Sequence, residues 1–155
     1  MDFEEFVSSR LDALLRYATA LSCDPHLAQD VVQEVLLRAQ VRWDRIGSVD
    51  NPGAYVKRMV TNEYLGWRRR KARRVIGLSA GSVDPIAQFD QRDAMLAMIA
   101  RLPRKQRAVI VLRYYEGCSD PEIAELLGCA AVTVRSHMSR AIARLRVIEA
   151  ELVRG

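Results

Sequence analysis

Apolar residues recur at helical spacing along most of the chain, and the points where that period stops divide it into elements. From Asp2 to Ser22, the residues Phe3, Phe6, Val7, Leu11, Leu14, Leu15, Ala18 and Leu21 fall on one side, with Arg10, Asp12 and Arg16 between them; this predicts an amphipathic helix. Asp24 followed by Pro25 predicts a helix cap and a first helical position. Ala28, Val31, Val32, Val35, Leu36 and Ala39 supply the stripe of that second helix. The stretch WDRIGSVDN, Trp43 to Asn51, breaks the period, and Asn51-Pro52 restarts it in a third helix bearing Tyr55, Val56, Met59, Val60 and Leu65. Residues 76–92, IGLSAGSVDPIAQFDQR, sustain no period and contain Gly77, Gly81 and Pro85, which predicts a linker.

The period returns in a fourth helix from about Asp90 to Arg101, with Met95, Leu96 and Ile99. Pro103 resets the chain and opens RKQRAVIVLRYYEG, a helix that ends at Gly117 and offers Ala108, Val109, Val111, Leu112 and Tyr115 for packing. Ser119 and Glu122 form a capping-box pair, and Pro121 fits the first turn of the helix they start. Ile123, Ala124 and Leu127 share a face, Gly128 permits the left-handed backbone that ends the helix, and Val134, Met138, Ile142 and Leu145 restart the period. The expected architecture is all-α: two small helical domains joined by a flexible linker, the C-terminal one containing a helix-turn-helix. The boundaries fall at 1–75, 76–92 and 93–155.

Charge sharpens this picture. The 155 residues carry a net charge of +5, but residues 1–55 hold five basic and nine acidic side chains, and residues 56–75 hold eight basic and one acidic. Residues 101–155 hold ten basic and six acidic. Two separated basic zones attract polyanions through counterion release, whereas the acidic first third calls for a different partner. Cys23, Cys118 and Cys129 form no CxxC pair and leave an odd number, which predicts reduced thiols and no standard zinc site. A set of Cys118, Cys129 and His137 lacks a fourth ligand. No metal or cofactor is implied. No basic-then-apolar leader and no apolar run of membrane-spanning length is present, so the expected compartment is the cytoplasm, with no membrane partner.

On the last helix, Arg135, Ser136, His137, Ser139 and Arg140 lie off the apolar stripe, where they can face a major groove. Before them, Trp67-Arg68-Arg69-Arg70-Lys71-Ala72-Arg73-Arg74 crowds six cations into two turns, a repulsive arrangement that an anion would relieve. Tyr64 and Trp67 beside it suit stacking of unpaired bases. On the second helix, Asp30, Gln33 and Glu34, with Gln29 and Arg38 nearby, make a polar face that by itself is no more than a solvated surface. Two histidines, no paired carboxylates, no glycine-rich phosphate loop and no nucleophile beside a base leave no reaction centre.

In this order these segments resemble the extracytoplasmic-function group of bacterial sigma factors, the promoter-recognition subunits of RNA polymerase. AQDVVQEVLLRA (Ala28 to Ala39) is similar to the segment that binds the polymerase clamp, and PGAYVKRMVTNEYLGWRRRKARR (Pro52 to Arg74) to those that open and read the minus-ten element. LPRKQRAVIVLRYYEG (Leu102 to Gly117) and the helix-turn-helix are similar to the domain that reads the minus-thirty-five element. The pattern around Trp67 looks most like an actinobacterial, sigma-E-like branch. The resemblance implies that the first domain is sigma region 2 and the last is region 4. It implies polymerase contacts at Asp30, Gln33 and Glu34, and minus-ten contacts at Trp43, Ser48, Asn51, Asn62, Trp67, Arg68, Arg69, Arg70, Arg73 and Arg74. It also implies minus-thirty-five contacts at Thr133, Arg135, Ser136, His137, Ser139 and Arg140. The implied partners are core RNA polymerase, through the clamp of its largest subunit and the flap of its second-largest, promoter DNA as duplex and as melted non-template strand, and an anti-sigma factor.

Gly66 stands where many members have aspartate, which implies that a usual polar contact within the first domain is absent; Ala130, where serine is frequent, and Val132, where glycine is common, leave open the angle of the recognition helix and the bases it reads. Two other functions compete: a helix-turn-helix repressor or activator that never joins polymerase, and a sigma-like decoy that binds polymerase without directing initiation. The aromatic-basic run and the basic residues in both halves argue against each.

Overall fold

The computed structural model describes residues 1–74 and 94–154, with Arg73 and Arg74 described by backbone alone. The chain divides into two compact units, Met1–Val83 and Asp84–Gly155, and every element among the described residues is helical. The expected linker over 76–92 and the start of the fourth helix at Asp90 lie outside the described residues.

The first unit is built on α1 (Phe3–Ser22), α2 (Pro25–Val41), α3 (Trp43–Ile46) and α4 (Pro52–Arg74). Local chemistry sets the ends. The Asp2 carboxylate accepts from the Glu5 amide at 2.7 Å, and Asp24 accepts from His26 and Leu27 at 3.1 and 3.2 Å, with Pro25 in the first turn. α1 stops at Cys23, which adopts the left-handed conformation with φ 55°. Asn51 starts α4 by accepting from the Ala54 amide at 3.1 Å. α1, α2 and α4 pack against one another over Phe6, Leu14, Leu21, Val32, Val35, Val56 and Val60, all buried. Within this apolar core the Tyr17 hydroxyl and the Thr61 hydroxyl are hydrogen-bonded across α1 and α4, which satisfies two groups whose burial unpaired would be costly.

The stretch from Trp43 to Asn51 departs from its expected break in period, because Trp43–Ile46 forms a helical turn. Ile46 is fully buried and Trp43 lies on α1, so packing rather than local propensity orders the turn.

The second unit comprises α5 (Ala94–Ala100), α6 (Arg104–Tyr114), α7 (Asp120–Leu127) and α8 (Ala131–Arg154). Val109, Leu112, Cys118, Ile123, Ala124 and Val134 form its core. Arg107 is buried on α6 and donates to the Ala100 carbonyl at 3.4 Å, so a cation meets the C-terminal end of α5. α8 runs eight residues past Arg146, to Arg154. Its buried residues are Val134, Ala141 and Ile148, a spacing of seven with Met138 and Leu145 between. The inward stripe is therefore displaced from the expected Ile142 onto Ala141, whose small side chain lets α6 approach.

The reciprocal capping box of α7 is present: Ser119 accepts from the Glu122 amide at 3.3 Å while Glu122 accepts from the Ser119 amide at 3.1 Å. At α8 the equivalent device is absent, since Ala130 occupies the cap, its carbonyl accepting from Val134 at 3.2 Å, and has no side-chain oxygen. Ala130→Ser is expected to stabilise the second unit by about 1 kcal/mol. Thermal unfolding followed by circular dichroism should show the corresponding rise, about 4–8 °C for a domain of this size.

Candidate nucleic-acid interface

α7, its turn and α8 form the helix-turn-helix. Gly128 ends α7 at φ +68°, a conformation that glycine adopts without steric cost. Val134 and Ala141, both completely buried, fix the rotation of α8. Arg135, Ser136, Ser139 and Arg140 are consequently exposed, while Thr133 and His137 are half-buried at the edge of the same face. Arg135 and Ser139, like Ser136 and Arg140, stand one turn apart, so hydroxyl and guanidinium donors alternate along one surface. Among the described residues neither arginine has a carboxylate partner. Val132 is 66% exposed on this element, an apolar group suited to a thymine methyl.

The basic arm is the C-terminal half of α4. Tyr64, expected to offer a stacking surface, is instead a core residue at 6% exposure. Its ring stacks on Trp67 at 6.5 Å, and the Arg68 guanidinium lies 6.0 Å from its centroid. Trp67 is half-buried, with the Lys71 ammonium 5.0 Å from its ring centroid. Arg69 and Arg70 are exposed, Arg68 is half-buried, and Asn62 is exposed further back along α4. The side chains of Arg73 and Arg74 lie outside the described residues.

The turn before α4 places its residues differently from one another. Trp43 packs on Phe3 and Phe6, with ring centroids 5.5 and 4.9 Å away, and its Nε1–H donates to the Met1 carbonyl at 3.1 Å. A Cβ on Gly47 would come within 2.9 Å of that Nε1, so glycine is what lets the loop close over the indole. Trp43, half-buried, thus braces the loop. Ser48 is exposed and donates to the Arg45 carbonyl at 2.8 Å. Asn51 is exposed, and capping occupies its side-chain oxygen while leaving the amide nitrogen as a donor.

On α2, Asp30, Gln33 and Glu34 are exposed. The same face continues to Leu37 and Val41, 55% and 87% exposed, which the sequence reading did not single out. Gln33 also rims an apolar groove of about 350 Å³ between α1 and α2, lined by Val7, Leu11, Leu15, Leu36 and Leu37 among others. The signal was available in the adjacent pair Leu36-Leu37, since a helix cannot bury both behind Val32 and Val35. Glu34 is tied to Arg38 at 3.1 Å, Arg38 to Glu63 on α4 at 2.9 Å, and Glu63 to Arg70 at 3.3 Å. Among the described residues no group of three or more His, Cys, Asp or Glu side chains is placed to hold a metal ion, and no helix is long and apolar enough to cross a membrane.

Residues 6–74 match the family model for sigma-70 region 2, and residues 92–145 match that for sigma-70 region 4. The RNA polymerase sigma-E factor of Streptomyces avermitilis is 42% identical over 150 residues, covering 94% of this chain and 84% of that protein. The chain is an extracytoplasmic-function sigma factor of the sigma-70 family. The sigma factor SigL of Mycobacterium tuberculosis is 36% identical over 148 residues, covering 90% of this chain and 84% of its own length. Among solved structures, RpoE from Bartonella quintana, in complex with the anti-sigma factor NepR, aligns with a TM-score of 0.69 at 28% identity, covering 96% of this chain and 97% of that one. CnrH, in complex with the cytosolic domain of CnrY, aligns at 0.55 and 26% identity, covering 96% and 88%. As an alternative sigma factor the chain directs promoter-specific transcription initiation by RNA polymerase, and sigma factors are initiation factors rather than catalysts.

Proposed function

We propose that residues 1–75 act as region 2, residues 76–92 as the linker and residues 93–155 as region 4, with each surface described above meeting a different part of the promoter complex. Asp30, Gln33 and Glu34, together with Leu37, contact the clamp of the largest polymerase subunit. An acidic stripe beside exposed leucine suits a basic, partly apolar helical partner. The second unit anchors the upstream duplex through Arg135, Ser136, Ser139 and Arg140, with Thr133 and His137 at the edge, and rests on the flap of the second-largest subunit.

Arg68, Arg69, Arg70, Arg73 and Arg74 hold the non-template strand, and Asn62, Ser48 and the Asn51 amide offer hydrogen-bonding groups for a base drawn from the stack. Capture of that base offsets the loss of stacking in the duplex and so favours melting. Trp43 and Trp67 contribute by fixing the loop and the arm in place. The observation that carries this reading is the pairing, in one chain, of an unneutralised arginine-serine surface on a helix-turn-helix with a second basic helix ending in a separate unit. The protein works in the cytoplasm, where its polymerase is, and needs neither cofactor nor membrane. Relatives captured with NepR and CnrY support an anti-sigma factor as a further partner, and the apolar groove between α1 and α2 is a surface on which such a chain would fit.

The test of the melting role is 2-aminopurine placed at successive non-template positions of a promoter. Core polymerase with the chain should raise fluorescence at one or more positions upstream of the start, through unstacking. Flat fluorescence at every position, with the complex assembled, would contradict it.

A further inference from the structure

Glu63 is the one acidic residue among the eight cations of residues 56–75, and its side chain is only 13% exposed. One carboxylate oxygen receives Arg38 Nη1 from α2 at 2.9 Å, and the other receives Arg70 Nη2 from the arm at 3.3 Å. Arg38 in turn reaches Glu34 through Nε and Nη2, both at 3.1 Å from Oε1. A continuous chain of charges, Glu34–Arg38–Glu63–Arg70, thus joins the exposed face of α2 to the basic arm of α4.

Arg70 must fold back two turns to reach Glu63, and it passes over Gly66. A Cβ built on Gly66 would lie 3.3 Å from Arg70 Nη1, closer than an ordinary van der Waals contact. Glycine at 66 therefore opens the path that the guanidinium takes.

We infer that Glu63 is a positioning residue whose carboxylate, shared between Arg38 and Arg70, couples docking on the α2 face to the availability of Arg70 for nucleic acid. This rests on the proposed assignment of Glu34 to the polymerase and Arg70 to the DNA strand. In the free chain Arg38 divides its attraction between Glu34 and Glu63, and Glu63 holds Arg70. When a cationic group of the polymerase neutralises Glu34, Arg38 turns its full charge to Glu63, which then holds Arg70 less strongly. Arg70 is released to a phosphate, and by linkage a bound phosphate strengthens docking by the same factor.

The test measures binding of the full chain, without polymerase, to a short fluorescein-labelled single-stranded oligonucleotide by anisotropy. Glu63→Gln should raise affinity about two- to fivefold, the range of a partly exposed ion pair, and should have no effect in an Arg70→Gln background. Glu34→Gln, which mimics the docked state, should raise affinity in the parent chain and not in an Arg38→Gln background. Gly66→Leu alters no charge but blocks the path of Arg70, so it should raise affinity as well; it also serves if Glu63→Gln fails to fold. A Glu63→Gln gain that persists without Arg70 would reduce the effect to bulk charge and overturn the coupling, as would unchanged affinity in Glu63→Gln and Gly66→Leu. If Arg70→Gln leaves affinity unchanged both in the free chain and in its complex with core polymerase, the assignment of Arg70 to nucleic acid falls instead.

Discussion

Replacing Arg135 and Arg140 together by alanine should lower promoter-specific output at least tenfold while leaving association with core polymerase intact. Both side chains are exposed on α8, and the rotation of that helix is held by Val134 and Ala141 on the opposite side, each completely buried. Truncation therefore removes donors without disturbing packing. An arginine bidentate to guanine contributes about 1–3 kcal/mol of discrimination, and a phosphate contact adds salt-dependent affinity, so losing two such groups exceeds the roughly 1.4 kcal/mol that a tenfold change requires. Output measured in run-off assays and core binding measured by anisotropy should separate cleanly. Loss of both together would mean that the second unit had misfolded. Unchanged output would mean that Arg135 and Arg140 on α8 do not read the promoter.

Reversing charge at Asp30 and Glu34, each to lysine, should weaken core association tenfold or more and leave far-ultraviolet circular dichroism unchanged. Both carboxylates stand on the exposed side of α2, opposite Val31, Val32 and Val35, so the helix keeps its buried face. Close charge pairs across interfaces couple by about 1.5–7 kcal/mol, and reversal adds repulsion to the lost attraction. Glu34→Lys would also set a cation against Arg38, which Glu34 now holds at 3.1 Å, but exposed intrahelical pairs contribute only about 0.3–0.5 kcal/mol. An interface loss therefore dominates any local one. Unchanged association would remove this face from the polymerase contact.

What the sequence reveals about this chain follows how far apart the interacting groups lie. Asp2, Asp24, the Ser119–Glu122 box and Gly128 act on amides within a few residues, so the helix ends they set can be read directly from residue type and order. The two-unit helical architecture follows from the same signals and from the loss of period after Arg74. Burial is a different matter. Tyr64 sits beside six cations in sequence, yet its ring is in the core because α4 turns that side toward α1 and α2. Trp43 is half-buried, and the rings it packs on belong to Phe3 and Phe6, about forty residues earlier in the chain and brought close by folding. Neither contact leaves a periodic trace.

The site shows the same division. The exposed set on α8 was legible because a helix with one apolar stripe leaves its remaining positions to solvent. The bond from Arg38 to Glu63 spans 25 residues and joins two helices whose facing angle no local pattern gives. Leu37 is intermediate between these cases: the adjacent pair Leu36-Leu37 shows that one of the two must face outward, and the positions of α1 and α4 decide which.

The most direct measurement is run-off transcription from fragmented genomic DNA of the organism encoding the chain, with core RNA polymerase alone and with core plus the purified protein, followed by sequencing of transcript ends. Discrete new starts that share two upstream motifs, and that disappear with the Arg135→Ala, Arg140→Ala double variant, are the predicted result. Core that binds the chain yet yields no new starts would contradict a role in directing initiation.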